Sequence, residues 1–372
     1  MKGALKKYFA CLILVISVFF GSNLHGQMLH DSSTVRLLYK EVTYMYNFHF
    51  SEARQISEEI NRLYPGHPAV ILLNSVIDYW ENYPILPSSP VRGTFEKNLR
   101  TCMDICEKNG NTANETEYLL INLCARGLLL LFMTDNELTL DIVPLALSTY
   151  QYIRKSFSFT SEYFDFNYFK GVFDYYREEY PEKYPVYKPI AALFPRGDKV
   201  RGLKELWLAA DSAIFLRAEA LAVLEDIFLR FENNDQSATF CNRTLYEHYP
   251  GNPQFMEEYI KNLLYIRQYD KAESLISKAG NFSDLPFSEA QMKILKGILA
   301  EKKYHNNHQA EELYRKGLAE IKSFGKYADE YSSYAYYGLS RISSDEGDRH
   351  LRKAYRKEAN RLSRFKKMNF DN

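Results

Sequence analysis

The chain has 372 residues, 46% of them apolar and 25% charged, with 47 basic residues against 47 acidic ones. That is globular material, long enough for two domains or one elongated solenoid, and the even charge balance argues against a general nucleic-acid binder. The 30 Tyr and 24 Phe against 2 Trp suit wide seams between stacked helices, where a tyrosine fills space and keeps a hydroxyl for a polar partner.

Residues 1–26 have the order of a signal peptide. Lys2, Lys6 and Lys7 precede an apolar run from Ala10 to Phe20, and small and polar residues from Gly21 to Gly26 lead to Gln27. The run falls short of the roughly 20 residues that span a bilayer. Cleavage after Gly26 resembles exported proteins of the Bacteroidetes type and implies a periplasmic or outer-envelope location. Losing Lys2, Lys6 and Lys7 takes the 47 basic residues to 44 against 47 acidic ones. Cys11 lies inside the apolar run, which rules against lipidation, and Leu119–Met133 is interrupted by Asn122 and Arg126. No transmembrane span is expected in the mature chain.

From Thr34 onward the apolar residues recur at i, i+3, i+4 and i+7, the period of helices. Ala53 opens a helix, Ile60 follows seven positions on, and Tyr64-Pro65-Gly66-His67-Pro68 ends it. Far along the chain the same order returns: Ala238, Leu245, then Tyr249-Pro250-Gly251-Asn252-Pro253. Proline withholds an amide donor, glycine permits the turn, and the second proline suits the first position of the next helix. The small Ala53 or Ala238 lets two helices approach. A first helix of the next pair then runs from Pro68 to Trp80.

Between Tyr83 and Phe215 the period fades but helices are predicted at 91–109, 115–133, 136–155, 161–180 and 199–214. A turn near Asn109–Asn114 places Cys102 roughly opposite Cys124, so a disulfide is one outcome and buried thiols the other. The segment 181–197, with Pro181, Pro185, Pro189, Pro195 and Gly197, is the most irregular and reads as a packing loop or a lid.

In the C-terminal half, units start near Glu219, Pro253, Gln291 and Tyr331, spaced 34, 38 and 40 residues apart. Ala238, Ala272 and Ala310 take the small positions of second helices, Gly297 and Gly338 those of first helices. Tyr269-Asp270-Lys271-Ala272-Glu273 and the turns above resemble the tetratricopeptide repeat family. The run Gly171–Tyr176, Leu193–Asp198 and Gly202–Leu206 is similar to the middle of a eukaryotic family of such repeats linked to lipid and inclusion-body clearance. Together these imply an all-α, tetratricopeptide-like superhelix of antiparallel helix pairs. Its expected parts are a signal peptide (1–26), N-terminal repeat-like helices (27–90), a degenerate helical middle (91–215) and C-terminal repeats with a basic capping helix (216–372).

No nucleophile-elbow, phosphate-loop, dinucleotide or zincin motif occurs. His305 and His308 flank Asn306-Asn307, which reads as a loop, so solvated histidines are expected rather than a metal site. No cofactor is implied. The family's groove positions, carried over, fall on Lys261 and Tyr265 in one unit and Lys302 and Lys303 in the next, with Arg230 extending the stripe. Such a stripe suits an acidic or carboxylate-ended peptide of a protein partner. From Arg349 to Lys367 there are nine Lys or Arg against Glu358 alone, a capping helix that also suits an anionic membrane surface. The expectation is a non-catalytic binding scaffold. The alternative is a helical glycan- or lipid-handling ligand-binding protein or enzyme using the aromatic 163–187 stretch.

Overall fold

The computed structural model describes residues 28–110, 115–192, 194–279, 285–363 and 367–371. The signal-like residues 1–26 lie outside them, as do Arg364 and Lys366 of the basic run. Helix covers 79% of the described residues, and no strand occurs among them.

Successive helices form antiparallel pairs. The first four are α1 (Ser32–Tyr46) with α2 (Phe50–Leu63), α3 (Pro68–Glu81) with α4 (Arg92–Asn109), α5 (Glu115–Asp135) with α6 (Thr139–Ser156), and α7 (Asp165–Lys183) with α8 (Lys199–Ser212). Four more follow: α9 (Arg217–Arg230) with α10 (Asp235–His248), α11 (Pro253–Tyr265) with α12 (Tyr269–Lys278), α13 (Pro286–Lys302) with α14 (Asn307–Ile321), and α15 (Asp329–Asp345) with α16 (Arg349–Leu362). The first helix of a pair also touches the first helix of the next, as α3 does α5 and α11 does α13. That is the stacking of an α-solenoid.

One local device repeats inside the pairs. The turn from first to second helix carries a left-handed residue: Phe48, Glu137, Asn233, Arg267, His305 or Gly347. In all six turns the next amide reaches back to close the helix end, over five residues in four of them, as His49 does to Tyr44 O and Gln268 to Leu263 O, both within 2.9 Å. This is the Schellman arrangement, which satisfies carbonyls the helix leaves free. Five positions after the left-handed residue stand Ala53, Ala238, Ala272 and Ala310, all fully buried. The expected small positions are therefore the points where paired helices touch.

The glycines expected in first helices act together. The ring of Tyr314, on α14, lies between Gly297 and Gly338, where added Cβ atoms would stand 2.8 Å and 2.2 Å from it. Gly171, Gly197 and Gly202 do the same for α7 and α8. A Cβ on Gly171 would sit 2.9 Å from Gly202 O, and one on Gly197 2.3 Å from Asp174 O. Arg201 then clamps the buried Asp174 with two bonds of 2.7 and 2.9 Å.

The two proline turns serve different ends. Gly66 is left-handed, with φ of +72°, as expected of a glycine that ends a helix. Gly251 is not; it packs against the Asn47 carbonyl instead. In the first turn His67 Nδ1 accepts the Ala69 amide, and its Nε2 stands 2.8 Å from Glu117 Oε1. In the second, Asn252 caps α11 by accepting from Gln254 and Phe255.

The superhelix is wound tightly enough for its coils to touch. The ends of the early first helices meet the starts of the late ones through a seam of rings. Tyr46 packs on Tyr249 (5.0 Å), Trp80 on Phe255 (5.8 Å), and Tyr83 on Phe287 and Tyr327 (5.9 and 5.7 Å).

One expected boundary changes in the middle of the chain. Helix α7 runs through Pro181 to Lys183 rather than stopping at 180. The four described cysteines are free thiols, with no Cys102–Cys124 bridge; Cys102 Sγ lies 3.4 Å from Pro68 O. The apolar α5 meets the length and composition of a membrane span, but 61% of its apolar window is buried. Its Arg126 is held inside the protein by Glu107, Asn122 and Ser148.

Candidate functional site

The late first helices are covered differently at their two ends. Their starts are sealed by the aromatic seam. At their far ends an open cleft of about 560 Å³ lies among the turns that follow α11, α13 and α15. Arg267, Tyr269, Glu301, Lys302, His305, Asn307, Arg341, Ser344 and Asp345 line it.

Arg267 and His305 reach it because they are the left-handed turn residues of their pairs. Lys302 is the last residue of α13, and Arg341 projects from α15. Arg341 grips Glu301 through Nε and Nη2, at 2.5 and 2.9 Å. Glu301 also accepts the Tyr314 hydroxyl at 2.7 Å, which ties the cleft floor to the packed ring between the two glycines. With Glu301 so engaged, Lys302 approaches it only to 3.6 Å. Burial, and then the charge of Arg341, hold the Lys302 ammonium below its ordinary pKa. Arg267 is exposed and forms no ion pair among the described residues. The cleft thus gathers cations that its own acids leave partly uncompensated.

Of the five residues singled out from the sequence, Lys302 alone lines this cleft. Lys261 is buried, with its side chain 4% exposed, and pairs with Glu258. Burial alone would lower its pKa, but Glu258, Glu225 and Glu330 outweigh that and hold it above its ordinary value. Tyr265 is 6% exposed, packed against Phe370. Arg230 pairs with Asp226 at 2.6 Å and approaches Glu330 at 3.7 Å. Lys303 points to the outside of its turn, where Asp270 and Glu273 each lie 2.6 Å away. The expectation of one open stripe is corrected for these four. The inner face shared by Arg230, Lys261 and Tyr265 is filled by the chain itself.

Arg267, Tyr269 and Arg341 were not singled out. Arg341 stands six residues before the left-handed Gly347, as Lys261 stands six before Arg267. Carrying the Lys261 position two units further reaches it.

The aromatic 163–187 stretch contributes to a second, apolar cleft of about 520 Å³ between α6 and α7, lined by Tyr150, Ile153, Phe173, Tyr176, Tyr180 and Phe194 among others. The 181–197 segment packs here, with Phe194 edge-on to Tyr150 at 4.5 Å and its carbonyl held by Arg177. His305 is exposed on the turn and His308 at the start of α14. No group of three or more His, Cys, Asp or Glu is placed to hold a metal among the described residues.

Comparison with protein-family models finds no match, and comparison with curated proteins finds none.

Proposed function

We propose that the chain is an exported scaffold of tetratricopeptide type that binds an acidic segment of a protein partner in the cell envelope and carries out no catalysis. The observation that carries this reading is the placement of Lys302, its side chain 17% exposed, beside Arg341 in the open cleft. A cation held below its ordinary pKa by burial and by a neighbouring arginine gains from an incoming carboxylate, which relieves both the repulsion and the lost hydration. Cations near helix C-termini also offset the helix dipole. That role asks for charges spread over the helix ends, whereas here Arg341 and Lys302 crowd together.

The test is binding of a tetra-glutamate peptide to the purified chain. Arg267→Glu with Lys302→Glu is expected to abolish it while helical content stays unchanged; undiminished binding overturns the reading.

Export rests on the basic, apolar and small-residue order of residues 1–26. N-terminal sequencing of native material is expected to begin at Gln27. A cytosolic protein beginning at Met1 would overturn it.

A further inference from the structure

The segment Lys367–Asp371 runs from the turn after α9, across the end of α11, onto the middle of α15. It belongs to no helix and is held by side chains. Met368 is fully buried, with its sulfur 3.2 Å from the Tyr334 hydroxyl. Two positions on, Phe370 is 4% exposed and stands edge-on to Tyr265 (6.1 Å) and Tyr334 (5.2 Å). Arg341 Nη1 donates to Asn369 O at 2.6 Å and to Asp371 Oδ1 at 3.0 Å, and Arg356 Nη1 lies 2.7 Å from Asp371 Oδ2. Lys367 reaches Asn233 and Asp235 at 3.3 and 3.6 Å. To seat its ring, Phe370 adopts a left-handed backbone, φ 54°, which a phenylalanine seldom takes.

We propose that Tyr265, Tyr334 and Arg341 form a peptide-docking surface that Met368–Asp371 occupies in cis, and that the partner docks there with an apolar residue, a spacer, an aromatic residue and an acid. The proposal rests on the peptide-scaffold reading above and names the segment that scaffold takes. The seated residues show the chemistry. Two anchors spaced by one residue enter an aromatic slot, and an acid meets two arginines. The surface does not end where the segment does. Past Arg341 the cationic cleft opens with Lys302 and Arg267, so a partner with further acids makes contacts that the cis segment does not make. Such contacts are what displacement requires. A tethered segment competes at an effective concentration on the order of millimolar, and only a ligand with added affinity for the vacated state shifts that balance.

The experiment uses fluorescein-labelled Met-Asn-Phe-Asp-Glu-Glu and fluorescence anisotropy, on the full chain and on its Phe370→Ala/Asp371→Ala variant. The variant is expected to bind the peptide at least tenfold more tightly than the unaltered chain, and to lose it when the peptide's Phe becomes Ala. Equal affinity for both chains overturns cis occupancy. Failure of this peptide on the variant, while tetra-glutamate still binds through Lys302, overturns the docking surface and leaves the scaffold reading standing. Failure of both peptides on both chains overturns the two together. Should the double variant lose helical circular dichroism, Asp371→Ala alone removes only the contacts to Arg341 and Arg356. It is expected to give a smaller gain in the same direction, and no gain overturns the proposal.

Discussion

The amide of Gly251 donates to Asn47 Oδ1 at 3.0 Å, joining turns 204 positions apart in the chain. A Cβ on Gly251 would stand 2.4 Å from the Asn47 carbonyl oxygen, a backbone atom that cannot swing aside. Gly251→Ala therefore has to push one coil of the superhelix off the next. The expected loss is about 1–3 kcal/mol, the scale of overpacking. Gly66→Ala, in the matching turn, is the control. Its residue is left-handed but has nothing within 4 Å, so only backbone strain of about 1 kcal/mol is expected. Thermal melts of the two variants decide the matter. If Gly251→Ala melts no lower than Gly66→Ala, the coils are not closed through this contact.

The proline turns and small residues were legible because each states a local need. Pro68 and Pro253 begin helices, and Ala53, Ala238, Ala272 and Ala310 mark close approach. The left-handed turn residues were not legible. Phe48, Glu137, Arg267 and His305 share a backbone conformation but no side-chain chemistry, because hydrogen bonds from the following amides hold them there in place of a glycine's freedom. Closure of the inner face was hidden for a different reason. The register placed Lys261 and Tyr265 on first helices correctly, but Phe370 and the acids Glu225 and Glu330 arrive from elsewhere in the chain. Periodicity reports which residues share a face; it carries no information about what comes to cover it.

Glu41, on α1, is fully buried, and neither carboxylate oxygen has a hydrogen-bond partner. Burial pushes its pKa from 4.5 up to about 8, with the Ser57 hydroxyl opposing. Between those values the folded chain keeps a proton that the unfolded chain releases. Its stabilising effect is complete below about pH 4.5 and is lost as the pH rises through 8. The slope reaches at most about 1.4 kcal/mol per pH unit from this group. Glu41→Gln removes the titration and keeps the shape. Denaturant midpoints from pH 5 to pH 9 are expected to fall less steeply for the variant, which starts lower at pH 5 because its amide lacks partners. Parallel curves would show that Glu41 stays ionised in the folded chain.

Two cationic surfaces compete for the role of partner site, and they differ in how their charges are placed. On α16, Arg349, Arg352, Lys353 and Lys357 are exposed and form no ion pair among the described residues. Water and salt screen them, so each contact contributes about 1 kcal/mol or less. In the cleft, Lys302 keeps only 17% of its side chain exposed and stands beside the buried Arg341–Glu301 pair, where screening is weaker. An acidic peptide is therefore expected to choose the cleft. Arg267→Glu with Lys302→Glu should lower tetra-glutamate affinity at least tenfold. Changing Arg349, Arg352, Lys353 and Lys357 to Gln should leave it within about twofold. Raising the salt should weaken binding only in part, because the Lys302 contact is shielded from mobile ions. The opposite pattern, with capture lost in the α16 variant and kept in the cleft variant, would move the site to the terminal helix. Binding to anionic vesicles, measured on the same two variants, would then follow α16 as well, since a flat array of exposed cations suits a charged surface better than a single peptide.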